Sequence, residues 1–366
     1  MTLFDLIFIG VVVFILFNFV LGSVLAVIYA ERKVLARFQQ RVGPSRTGPF
    51  GMFQTLADAV KLLLKEDMKP ASVDRFVFYL APLLLFTPIF MLWVALPLSD
   101  GFVLSDLNLG LFYVVAILGL SIVGMVLAGW SSNNKYALLG GARSAAQLIS
   151  YELPLILSVL SVGILAQLNT DRPFNLDAIV DAQGAIPYIA VMPLAFLLFF
   201  VGTLAETARI PFDIPLAEEE IVGGPLVEYS GIRWGVFFLT EYAGLMTMAV
   251  LGAILFLGGW TGPGSDRFAW LQPFWLGAKV SLIVFIVFWI RAPLPRLRID
   301  QLMAFAWKVA IPLAFLNLLL VASTLFYGWD LWVLTLLNLA VIAVAVYGMR
   351  WRRGRRLSQF RERWAQ

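Results

Sequence analysis

The chain has 366 residues, of which 61% are hydrophobic and only 14% charged, with a formal net charge of +4. A mean hydropathy of +0.87 excludes a soluble globular protein, in which about a quarter of residues are charged, and points to a polytopic membrane protein. Neither cysteine nor histidine occurs, which excludes thiolate-held iron–sulfur clusters and removes the usual ligands of haem, copper and zinc. No catalytic or metal-ligating set is therefore expected, and the electrons of any linked redox reaction belong to another chain.

Apolar runs long enough to cross a hydrocarbon core, roughly 17–25 residues, lie near 3–30, 76–97, 109–129, 145–168, 187–208, 233–257, 274–290, 306–327 and 331–349. The fold class expected is thus all-α, a membrane protein of about nine transmembrane helices. The first run is too long for the apolar core of a signal peptide and lacks a basic stretch before it, so it reads as the first span. The last two, joined through Gly328-Trp329-Asp330, predict a helical hairpin. With the N-terminus outside and the C-terminus cytoplasmic, 24 of the 27 lysines and arginines fall in cytoplasmic loops or helix ends, as the positive-inside rule requires. Only Arg172 and Arg267 fall outside, and Lys279 sits within a span. Residues 1–349 form a single transmembrane domain on this reading, and 350–366 a basic cytoplasmic tail that anchors topology and meets anionic lipid.

The first cytoplasmic loop opens with Glu31-Arg32-Lys33 and passes through two Gly-Pro pairs, Gly43-Pro44 and Gly48-Pro49, which force turns and rule out helix there. An amphipathic helix follows over about 52–66. Phe53, Leu56, Val60, Leu63 and Leu64 make an apolar stripe, with Asp58, Lys61 and Lys65 opposite, the pattern of a helix lying along the membrane interface. It serves either as a structural collar or as one wall of a portal for an amphiphile. Small residues at 140–146 allow close helix approach, and Glu152 follows near the start of span four. The third loop, 206–231, holds six carboxylates in 23 residues: Glu206, Asp213, Glu218, Glu219, Glu220 and Glu228. Pro211 and Pro215 stop helix continuation and turn the chain back to the membrane. Crowded carboxylates in a confined site cannot all ionise, so this loop is either a proton reservoir or a solvated acidic face; its apolar frame argues for partial burial. Glu241 lies inside span six, eight residues past Arg233 or ~12 Å along the axis, where it needs a partner, water or a proton. The fourth loop, from Arg291 through Arg296 and Arg298, supplies cations on the same face.

Taken in order, Glu31-Arg32-Lys33, Arg41-x-Gly-Pro-x4-Gly-Pro-x-Gly51, Ala57-Asp58-Ala59-x-Lys61 with Lys65-Glu66, Ile149-Ser-Tyr-Glu152, Ala205-Glu206-x2-Arg209-x-Pro-Phe-Asp213, Glu228-Tyr-Ser230 and Arg291-Ala292 followed by Pro295-Arg-x-Arg-x-Asp-Gln301 resemble the quinone-site membrane subunit of respiratory complex I. The resemblance covers nearly the whole chain. It implies a subunit of a proton-pumping quinone oxidoreductase in a bacterial cytoplasmic membrane, at the junction of the peripheral and membrane arms. Its partners would be peripheral subunits carrying the terminal iron–sulfur cluster, small membrane-arm subunits and lipid, with no nucleic acid. A quinone (ubiquinone, menaquinone or plastoquinone) would be the substrate, with no flavin, cluster, haem or metal in this chain. By match, Arg32, Asp58, Ala59 and Lys61 line or flank the quinone chamber, with Arg291 nearby. Glu31, Glu152, Glu206, Asp213, Glu218, Glu220, Glu228 and Glu241 correspond to acids that carry charge from the chamber into the membrane.

The sequence departs from that pattern at Leu216, where an acid is common, and at Pro225, where an aromatic is usual. It also has no carboxylate between Asp106 and Glu152, so span three lacks the glutamate some members carry. Two alternatives share features with this reading: the ion-translocating membrane subunit of a membrane-bound hydrogenase, and a stand-alone secondary transporter with its substrate at the midplane. The run from Arg209 to Ser230 favours the quinone enzyme over the first. The gathering of acids and loops on one side favours it over the second.

Overall fold

The computed structural model describes residues 3–184, 186–214, 218–265 and 267–364, with the side chains of 3–6, 218, 219, 349 and 351–364 outside that description. The described residues form helices and loops with one isolated bridge, Ser99 to Phe102, and no strand. Among the described residues eight helices are long and apolar enough to cross a membrane. In chain order the elements are α1 (Leu3–Phe38), α2 (Gln54–Leu64), α3 (Arg75–Ala95), α4 (Gly110–Leu118) with α5 (Leu120–Ser131), and α6 (Lys135–Ala166). Then come α7 (Leu176–Gln183), α8 (Tyr188–Val191), α9 (Pro193–Glu206), α10 (Glu218–Ile221), α11 (Gly231–Phe256), α12 (Leu271–Arg291), α13 (Ile299–Phe305), α14 (Ile311–Tyr327) and α15 (Leu331–Trp364).

Each departure from the expected spans has a local cause. Span five is split: Met192 leaves helical geometry at φ −126°, ψ 63° and Pro193 opens a 14-residue helix, because proline disfavours helix in the residue before it. Span three is interrupted at Gly119, between α4 and α5. Span eight starts earlier, at Ile299, and crosses one π-helical turn, Ala306–Ala310, just before Pro312, whose missing N–H disturbs the ladder. Asparagine caps start α6 and the unforeseen α7: Asn134 Oδ1 accepts from Tyr136 N at 2.9 Å and Asn175 Oδ1 from Ala178 N at 3.0 Å. The second Gly-Pro pair, expected to exclude helix, begins a single 3₁₀ turn over Pro49–Gly51.

The helix α6 runs through the middle of the bundle, with Ser158, Val159, Ser161 and Val162 wholly buried. Close approach there depends on missing side chains. A Cβ on Gly140 would fall 2.4 Å from the Cα of Gly224, and one on Gly129 would fall 2.6 Å from the carbonyl of Ala137. Asn317 donates to Ser161 Oγ at 2.9 Å and fixes α14 to α6. Outward positions of α1, such as Phe8 and Phe14, are exposed, as suits helix faces that meet lipid. Packing of α1 and α12 against α11 brings the end of α1, the end of α9, the first turns of α11 and the end of α12 together.

Candidate functional site

Two adjacent residues at the end of α1 point into two different polar groups. Glu31 is 3% exposed and takes ion pairs from Arg291 and from Arg209, the latter at 3.5 Å. Arg32 pairs with Asp58 of α2, which also accepts from Gln54 Nε2 at 3.1 Å. The first group is the denser. Arg209, likewise 3% exposed, reaches Glu241 at 3.5 Å with its other terminal nitrogen and lies 4.0 Å over the ring of Tyr242. Burial alone would lower its proton affinity, but Glu241, Tyr242 and Glu31 outweigh that and raise it above the ordinary arginine value. Asp213 is paired with Arg296 at 3.0 Å. Burial pushes its carboxyl up against the opposing pull of Arg296, Arg291 and Arg209.

The backbone that delivers Arg209 is unusual. The chain leaves α9 at Glu206, Ala208 takes φ +46°, and the Ile210–Pro211 peptide is cis. Gln147 of α6 donates to the carbonyls of Ala205 and Phe212, both at 2.8 Å, and so closes the loop into a fixed turn.

A polar cavity of about 530 Å³ is lined by Arg209, Asp213, Glu241, Tyr242, Arg291 and Arg296, among others. A second, mostly apolar cavity of about 100 Å³ lies among α3, α5, α9 and α11 and is lined by Ser121, Glu206 and Glu241. Glu241, Ala208 and Leu226 belong to both walls. Ionisable groups thus continue from the polar cavity inward: Glu241 faces both spaces and Glu206 faces the inner one. Glu152 is next, with its Oε1 2.9 Å from where a Cβ on Gly119 would sit.

Of the expected proton-path acids, Glu31, Asp213 and Glu241 are therefore brought together, and Glu206 joins them through the inner cavity. Glu220 and Glu228 line neither cavity. Glu220 pairs with Arg143 at 2.6 Å at an exposed edge, and Glu228 accepts from Asn134 at 2.6 Å. The side chain of Glu218 and the departure at Leu216 lie outside the described residues.

Of the expected quinone-site residues, Arg291 sits in the first group, while Arg32 and Asp58 form the second; Ala59 is half-buried and Lys61 exposed. The apolar stripe of α2 (Phe53, Leu56, Val60, Leu63, Leu64) is exposed, whereas Thr55 is buried. The helix thus meets its own chain through the face that carries Thr55, Asp58 and Leu62, the last next to Gly235 of α11. Arg209, Arg296, Tyr242 and Ser121 join the site in the structure without being singled out as site residues by the sequence. Both arginines stand inside the motifs that carry the resemblance, and their position between acids was the available signal.

Residues 11–322 match the family model described as NADH dehydrogenase. A protein from Dehalococcoides mccartyi (strain CBDB1), named as the H subunit of NADH-quinone oxidoreductase, is 45% identical over 331 residues, 90% of each chain. Proteins of the same name from Geobacillus thermodenitrificans (strain NG80-2) and Bacillus cereus (strain B4264) are 50% and 46% identical. They cover 83% and 86% of this chain and 90% and 93% of their own lengths.

Proposed function

The chain belongs to the NADH dehydrogenase family, as a multi-pass membrane subunit of NADH-quinone oxidoreductase, and on that premise we propose how its site serves the complex. The relatives' names carry quinone, and neither the hydrogenase nor the transporter alternative gains support. The quinone enters from the bilayer beside the ends of α1, α2 and α12. Arg32, Asp58, Ala59 and Lys61 form its wall, and Arg291 stands at the boundary with the acid group. The N-terminus lies outside, the loops face the cytoplasm of a bacterial inner membrane, and they meet the peripheral subunits that hold the terminal iron–sulfur cluster. Small membrane-arm subunits pack against the remaining lipid-free faces.

Reduction of a quinone takes up two electrons and two protons and leaves a neutral quinol; where the protons come from side chains of the chamber, those groups are left more negative by two charges until they are reprotonated. Glu31 and Arg209 sense that charge through Arg291, and Glu241, Glu206 and Glu152 pass protons inward. Asp213 stands at the mouth, and Glu218, Glu220 and Glu228 of the same loop form an acidic reservoir beyond it, toward the start of α6. The observation that supports this most is Glu241 standing in the walls of both cavities: a carboxylate there exchanges a proton with either space by rotating its side chain.

The wall is tested by Ala59→Phe in the assembled complex. The apparent KM for long-tailed quinones should rise about tenfold or more, the scale of one blocked apolar contact, with short-tailed analogues little affected. Unchanged kinetics with both would remove Ala59, and the α2 wall with it, from the reading.

A further inference from the structure

Span three carries no acid, yet it reaches both inner ones. Ser121 Oγ lies 2.8 Å from the carbonyl of Leu118 and 3.2 Å from Oε1 of Glu206. Both partners are acceptors when Glu206 is ionised, and a serine hydroxyl has one proton and two lone pairs. Only one of them receives that proton at a time. Ionised Glu206 attracts it more strongly, because a bond to a charged acceptor is about twice as strong as a neutral one. Protonated Glu206 has an O–H of its own to donate to Ser121 Oγ, which leaves the serine proton for Leu118.

The Leu118 carbonyl is suited to that exchange. It closes α4, and the last carbonyls of a helix have no intrahelical partner. The next residue, Gly119, is the one against which Glu152 packs, so a single turn of span three touches Glu206 through Ser121 and Glu152 through Gly119. The other hydroxyls around the inner cavity are committed elsewhere. Thr207, Thr240 and Thr247 each donate to the carbonyl four residues back on their own chain, at 2.7–2.8 Å. Glu241 from α11 lines the inner cavity together with Glu206, the charge of Glu152 from α6 also bears on Glu206, and no lysine or arginine among the described residues lines that cavity.

Resting on the reading of Glu206 as a proton carrier, we propose that Ser121 is a positioning residue whose hydroxyl moves between the Leu118 carbonyl and the Glu206 carboxylate as that acid gains and loses its proton. Each protonation state of Glu206 is thereby held in a defined geometry beside Glu152.

The test compares Ser121→Ala, Ser121→Thr and Glu206→Gln in the assembled complex. Infrared difference spectra between the oxidised and quinol-reduced states give the carboxyl C=O band that disappears in Glu206→Gln. In Ser121→Ala that band shifts, and coupled turnover falls about three- to tenfold, the scale of one hydrogen bond. Ser121→Thr, which keeps the hydroxyl, restores both. An unmoved band in Ser121→Ala, whatever the rate, overturns the proposal and leaves Ser121 a cap for Leu118 alone. A Glu206→Gln variant that loses no band and pumps normally overturns the role of Glu206 itself, and this proposal with it.

Discussion

Asp67 and Arg233 form an ion pair of 2.8 Å that joins the segment after α2 to the first turn of α11. The guanidinium also lies 3.9 Å over the ring of Tyr79. One turn away, Ser230 Oγ accepts from Met68 N at 2.9 Å and is 3.2 Å from the Met68 carbonyl. The helix that bears the expected quinone wall is thus fastened to the helix that bears Glu241. Arg233→Met removes the ion pair and the ring contact together, a loss of roughly 2–4 kcal/mol. We expect a lower melting temperature of the detergent-purified complex and a raised KM for long-tailed quinones. Arg233→Lys, which keeps the charge and loses the planar stack, should fall between. An unaltered KM in Arg233→Met would separate α2 from α11 functionally.

Gly140 tests the packing that holds the acidic loop against α6. Gly140→Ala would set a methyl 2.4 Å from the Gly224 backbone, and overpacking of this kind costs about 1–3 kcal/mol. Reduced assembly and earlier melting are expected. Gly10→Ala, with nothing within 4 Å of the added Cβ, serves as the matched control and should leave melting within error of wild type.

At the other end of the bundle, Asp177 of α7 has its carboxyl pushed from 3.8 up to about 6, first by burial and then by Asp106, Asp181 and Asp100. Its folded-state value lies above the unfolded one. The stability it contributes is therefore fully present below pH 3.8 and is lost as pH rises through about 6. Asp177→Asn removes that loss. The variant should melt above wild type on the alkaline side of this window and converge with it on the acid side. A melting difference independent of pH would show that Asp177 titrates alike in the folded and unfolded chain.

Much of this architecture is legible in the sequence because hydrocarbon imposes lengths and excludes charge. The positions of most spans follow from that constraint, and the helix over Gln54–Leu64 follows from its apolar periodicity. What composition does not reveal is which charges meet. Glu31 and Arg32 are neighbours in the chain, yet one faces Arg209 and Arg291 and the other Asp58, a divergence set by the helical turn and by which helices pack on each side. Glu220 and Glu228 look equivalent to Asp213 as loop acids; only the fold of 206–231 places Asp213 at the cavity and the other two against the start of α6. Ser121 is illegible for another reason: a serine in an apolar span is ordinary until Glu206 is found beside it.

In the proposed relay, Glu241, in the wall shared by both cavities, is the residue on which proton coupling depends most. The decisive measurement is the number of protons moved per quinone reduced by Glu241→Gln complex in sealed proteoliposomes. The amide keeps size and hydrogen-bonding capacity but carries no exchangeable acid. Coupled proton transfer should fall by about a hundredfold, the contribution of one positioned acid–base group, in complex that still assembles and binds quinone. Wild-type proton transfer in that variant would contradict a carboxyl relay between the two cavities.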